Sequence, residues 1–144
     1  MAGMSVQIDV SKAVAALQAM SGPRMTAKLS AALMEAALYG ERTVVGFTPV
    51  KTGVLRGSVK ANRTGALGWK ISSSMPYVVP VEMGSKPHVI RPRSGKFLRF
   101  PGGSGMVYAR QVNHPGTRAR KMFALSVPKI QQQLAQIVAR MVGS

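Results

Sequence analysis

Groups able to move a proton, attack a carbon or hold a metal are scarce in this chain. Its only carboxylates are Asp9, Glu35, Glu41 and Glu82. Acid–base catalysis by paired carboxylates needs two of them facing one substrate from different environments. Glu35 and Glu41 stand six apart on a helical segment, a spacing that does not put them on one face. A two-metal site needs several carboxylates, which the supply does not allow. His88 and His114 lack the i, i+4 spacing of a zinc helix, and with no cysteine in the chain nothing completes a coordination sphere. Gly102-Gly103-Ser104-Gly105-Met106 sets a serine among glycines, but the second glycine of a nucleophile elbow would fall at Met106. Gly95-Lys96 lacks the following Ser or Thr of a phosphate-binding loop, and Ile90 stands where its first glycine belongs. The residues therefore predict no catalytic, cofactor or metal site, and a protein that is not an enzyme.

What the chain has in excess is positive charge. Twenty Lys and Arg stand against four acids, a formal net charge of +16. Residues 1–72 carry nine bases and three acids, net +6, whereas residues 73–144 carry eleven and one, net +10. Beyond Glu82 there is no acid with which Lys86, Arg91, Arg93, Lys96, Arg99, Arg110, Arg118, Arg120 or Lys121 could pair. Such a surface favours polyanionic partners: DNA phosphates or an acidic protein face. No zinc finger, basic zipper or aromatic RNA-binding signature accompanies the charge, and Phe97 and Phe100 read as strand residues, so nucleic-acid contact would be sequence-independent. The absence of cysteine fits a reducing compartment. Residues 1–10 lack a basic segment followed by an apolar one, and the apolar run 31–40 is interrupted by Glu35, so neither a signal peptide nor a membrane span is expected.

The elements that must position these groups can be read from periodicity. A length of 144 residues with 46% hydrophobic side chains suits one domain with its own core. Asp9 or Ser11 can cap a short helix carrying Ala13, Val14, Leu17 and Met20, which Gly22-Pro23 stops. Met25, Leu29, Leu33, Ala36, Gly40, Val44 and Phe47 then recur every three or four residues, predicting a long helix that Thr48-Pro49 ends. Ala31-Ala32 and Ala36-Ala37 offer a face for close approach. Thr52-Gly53 leads into one helical turn and a strand near Val59, and Leu67, Trp69 and Ile71 alternate along a half-buried strand within 66–74.

Residues 77–84 predict a short strand or turn of helix. Residues 86–91 and 96–101 predict a hairpin whose turn, Pro92 to Gly95, forms a projecting basic tip. After a turn at His114-Pro115-Gly116-Thr117, the apolar residues Met122, Leu125, Ile130, Leu134, Ile137, Val138 and Met141 mark a C-terminal helix. Either Ser126 caps it with Pro128 in its first turn, or a helix from about Arg118 kinks at Pro128, and the first demands less strain. The fold class expected is α+β: a long N-terminal and a C-terminal helix on a small antiparallel sheet, with residues 86–112 inserted as a protruding hairpin in a single domain spanning 1–144.

Three segments in order carry a resemblance. They are Pro49-Val50-Lys51-Thr52-Gly53-Val54-Leu55-Arg56-Gly57-Ser58; Tyr77-Val78-Val79-Pro80-Val81-Glu82-Met83-Gly84-Ser85; and His114-Pro115-Gly116-Thr117 ahead of Met122-Phe123. This order resembles the neck, or tail-completion, proteins of long-tailed bacteriophages, over about residues 27–138. That family shows P-x-x-T-G-x-L-[RK]-x-S, a Tyr-containing segment ending in Glu-x-Gly-[TS], and a Pro-Gly-Thr turn. Lys121-Met122-Phe123 departs from it where a proline usually precedes the aromatic, and residues 84–114 are longer than in many relatives.

The resemblance implies a structural virion protein of the head–tail junction, assembled in the host cytoplasm. It would form a homo-oligomeric ring of six subunits to match a tail or twelve to match a portal-side connector, touching head-side connector and tail proteins around packaged DNA. Thr52 and Gly53 would hold a tight turn, Leu55 would anchor it, and Arg56 with Glu82 would form a pair within or between subunits. Gly84, His114 and Gly116 would complete the structural or interface set. Lys86, Arg91, Arg93, Lys96 and Arg99 would meet DNA or an acidic neighbour. Two alternatives stay open: a tail terminator capping the tail tube, and a non-specific DNA-binding protein.

Overall fold

The computed structural model describes the backbone of residues 4–9 and 11–142. The side chains proposed to cap and line the first helix, Asp9 and Ser11 through Met20, lie outside the described residues. The order is β1 (Met4–Asp9), α1 (Ser11–Phe47), α2 (Val54–Ser58), β2 (Val59–Gly65), β3 (Gly68–Ser73), α3 (Val78–Met83), β4 (His88–Ile90), β5 (Leu98–Gly102), β6 (Gly105–Ala109), β7 (Val112–His114) and α4 (Met122–Val142). The class is α+β, with all strand pairs antiparallel.

The three-stranded sheet has the order β1-β3-β2. Ile71 lies at its centre, opposite Val6 on one side and Ala61 on the other, and is completely buried. The strand at the N-terminus was not anticipated, although Met4, Val6 and Ile8 turn inward while Ser5 and Gln7 are exposed, the period of two that marks a half-buried strand.

Helical backbone spans Ser11–Phe47, broken at Gly22 (φ 66°, ψ −175°), with Pro23 opening the second segment, where its missing N–H costs nothing. The expected stripe faces inward: Leu29, Leu33, Ala36, Gly40 and Val44 are buried. Against it lies α4, antiparallel, so that Thr48 meets Met122, Gly40 meets Ile130 and Ala36 meets Ile137. A Cβ on Gly40 would come within 2.5 Å of Ile71 Cδ1 and 3.0 Å of Ile130 Cδ1. Gly40 therefore sets the spacing of helix, helix and sheet. The core joins Leu33, Val44, Leu55, Val59, Ile71, Val78, Met122, Phe123 and Ile130. Each large side chain fully buried in it contributes about 1.5–3 kcal/mol of transfer free energy.

Two expectations are corrected here. First, α4 begins at Met122 and runs through Pro128, so Ser126 is no N-cap. It is buried, donating its hydroxyl to Met122 O, and the inward stripe runs Met122, Ser126, Ile130, Leu134, Ile137, which leaves Leu125 on the outer side. The start is set from outside the helix, as described below. Second, the hairpin is shifted. β5 and β6 close on Gly103-Ser104, with Gly102 opposite Gly105. β4 pairs instead with β7, His88 opposite His114. A two-residue connection among glycines closes a hairpin with the correct twist, and this one outcompetes Ser94-Gly95. Gly95 does turn (φ 84°), but in the loop between β4 and β5, which pair with different strands, and Pro92 there has no N–H to continue a ladder.

Candidate partner groove and the arm beside it

The segments Glu82–Ser85 and His114–Thr117, thirty-two residues apart, are bonded side by side. Ser85 N donates to Thr117 O at 2.9 Å and Thr117 N to Ser85 O at 3.0 Å, while the two hydroxyls lie 3.0 Å apart. Two glycines make this approach possible. Gly84 (φ 77°) would, with a Cβ, press on Thr117 O at 2.6 Å, and Gly116 (φ 86°) would collide with Ser85 O. Both positive φ angles also disfavour any other residue. His114 Nδ1 accepts the Gly116 N–H at 3.0 Å, and its ring lies 5.0 Å from that of His88, whose Nδ1 is 2.9 Å from Lys86 O. Gly84, His114 and Gly116 thus form a clamp at the root of residues 86–114.

Glu82 completes the clamp. Only 4% exposed, it accepts Phe123 N–H on Oε2 and Ala124 N–H on Oε1, each at 3.0 Å. Those donors are among the amides at the start of α4 that have no partner within the helix, and the helix dipole adds to the attraction for a carboxylate there. Val81 O and Glu82 O take Arg120 N–H and Lys121 N–H just before. Glu82 therefore sets where α4 begins. The proposed Arg56–Glu82 pair is not formed within the chain: Arg56 Nη2 donates to Thr48 O at 3.2 Å, and its Nε is buried without a partner among the described residues. The carboxylate is turned instead to the two backbone amides at the start of α4.

Gly53 holds a left-handed conformation (φ 79°, ψ −12°) immediately before α2, and Gly57 N returns a bond to Gly53 O at 2.9 Å. Space around its Cα is open, so the demand for glycine comes from the backbone angle alone. The turn drops Leu55 into the core and leaves Thr52 exposed. Here the three resembling segments meet. A groove of about 540 Å³ is walled by Pro49, Val50, Lys51, Thr52, Gly53 and Leu55 on one side. Tyr77 and Val81 from the α3 segment and Thr117, Arg118 and Arg120 beyond the clamp form the other. Its surface is mainly apolar, Val50 is 60% exposed and Tyr77 41%, and three cations border it with no carboxylate. Arg118 and Arg120, read in the sequence only as part of a charge excess, acquire this role from the fold.

The arm consists of the short β4–β7 ladder and the distal β5–β6 hairpin. The hairpin pairs only with itself and has no extended packing on the body. Arg91, Arg93 and Lys96 sit in the loop between β4 and β5, Arg99 on β5 and Lys86 at the root, all exposed. The basic residues therefore mark the arm's root, elbow and flank, and the tip is the neutral Gly103-Ser104. Arg110 reaches over Phe97, its Cζ 5.9 Å from the ring centroid, bracing the elbow. On one face of the hairpin Leu98, Phe100, Val107 and Ala109 lie in register; on the other are Arg99, Tyr108, Pro101 and Met106.

Among the described residues no group of three or more His, Asp or Glu could hold a metal ion, and no helix is long and apolar enough to cross a membrane. No protein-family model, curated protein or solved structure matches the chain.

Proposed function

We propose that this protein is a structural subunit of the head–tail junction of a long-tailed phage, forming a ring that joins or seals head and tail. The observation that carries the reading is the convergence of the three resembling segments on one groove and one clamp, from which an arm projects. A ring subunit needs surfaces that reach its neighbours, and closed symmetry repeats one such set of surfaces at every junction. The arm supplies reach, the groove supplies a receptor, and neither carries the acids that a hydrolytic site would use.

The test is to locate the protein in purified particles by imaging and to sediment the isolated chain. A ring of six or twelve copies at the junction is the expected result. Its absence from finished particles refutes the reading, and a ring confined to the end of free tails would make it a tail terminator. Replacing Arg91, Arg93 and Lys96 together by Ser should leave the subunit folded while heads and tails fail to join.

The exposed cations of the arm favour a second reading, non-specific DNA binding. Binding of duplex DNA by the monomer, equal for unrelated sequences and falling steeply with salt, would support it.

A further inference from the structure

We infer that the groove beside the clamp is a docking site for an acidic segment, carrying an apolar anchor, of a different polypeptide. This inference goes beyond the head–tail reading and does not depend on it. Val50, Tyr77 and Val81 present an apolar surface that water covers in the isolated chain, and Lys51, Arg118 and Arg120 border it. Apolar burial supplies affinity for such a segment, and the uncompensated cations select its charge.

A second copy of this chain is a poor source of the complement. Glu82 is sealed against the start of α4, Glu41 accepts Ala61 N–H at 2.7 Å beside Lys60, and Glu35 is bridged to Arg140 at 2.8 Å. The projecting arm would instead bring Arg91, Arg93, Lys96 and Arg99 against three more cations. Duplex DNA offers the charge, but its outer surface is phosphate and its few apolar groups, such as thymine methyls, lie within the grooves. The chemistry left is a peptide with carboxylates flanking aliphatic or aromatic side chains.

The experiment uses the full chain and four short fluorescent peptides of equal length: two leucines among aspartates, the same leucines among serines, the same among lysines, and aspartates without leucine. The aspartate–leucine peptide should bind, and each of the others at least about tenfold more weakly. Val50→Asp, at an exposed position, should weaken that binding about tenfold with the thermal transition unchanged. The double variant Arg118→Glu, Arg120→Glu should exchange preference, losing the aspartate–leucine peptide and gaining the lysine–leucine one. That exchange is a gain of binding which misfolding cannot imitate. No binding of the aspartate–leucine peptide, equal binding of the leucine-free one, or no exchange of preference overturns the inference. Displacement of bound peptide by duplex DNA, sensitive to Val50→Asp, would also overturn it by giving the groove to nucleic acid. Because no particle is involved, a missing ring leaves this result standing, and a failed peptide leaves the ring standing.

Discussion

In the clamp, polar groups are answered: buried Glu82 is bonded by two amides, Ser85 and Thr117 exchange a pair of hydrogen bonds, and Gly84 and Gly116 give up side chains so that backbones can touch. In the arm that it carries, Phe97 is 50% exposed, Tyr108 62%, and the cations have no acid nearby. The two regions adjoin in sequence, yet one is finished within the chain and the other is not. An isolated two-stranded hairpin is marginal in water, so the arm depends on its root for placement. Internal bonding is concentrated in the clamp, and uncovered apolar and cationic surface in the arm and groove.

That division can be broken by mutation. The largest effect is expected from Glu82→Ala, which leaves the Phe123 and Ala124 amides without an acceptor and should lower unfolding free energy by roughly 2–4 kcal/mol in urea titration. A loss below about 0.5 kcal/mol would mean that α4 needs no external cap. Gly116→Ala comes next, at roughly 2–3 kcal/mol, since a positive φ and a collision with Ser85 O act together. Hydrogen exchange should show the Ser85 and Thr117 amides opening first, and unchanged protection there would contradict the clamp.

Gly53→Ala should cost about 1 kcal/mol, because its left-handed angle is disfavoured while its surroundings are open. The bulkier Gly53→Val should cost more. Wild-type thermal stability in both would show that the turn tolerates other angles. The smallest effect belongs to the arm: Arg91, Arg93 and Lys96 replaced by Ser should shift stability by no more than about 0.5 kcal/mol either way, whatever happens to partner binding. A loss as large as that of Glu82→Ala would erase the contrast between the two regions.

Much of this architecture was written locally. The stripe from Met25 to Phe47, the stop at Thr48-Pro49, the turn at Gly53 and the alternation through Trp69 and Ile71 each depend on neighbours a few residues away, and each is found where the spacing put it. The first strand is equally local, in the alternation of Met4, Val6 and Ile8 with Ser5 and Gln7.

What failed depended on distance. Two glycine turns, Ser94-Gly95 and Gly103-Ser104, competed for the hairpin, and strand pairing chose between them because only the second lets both flanking strands run in register. Ser126 could cap a helix by its type, but the helix began a turn earlier because a carboxylate forty-one residues back reached two of its amides. By itself the sequence determined the long helical stripe, the strand periods, the charge excess and the scarcity of acids, all properties of residue type and short spacing. Only tertiary structure decided that Glu82 serves a helix rather than Arg56, and that Lys51, Tyr77 and Arg118 border one groove. Those outcomes turn on which buried donors lack acceptors once the chain has closed on itself.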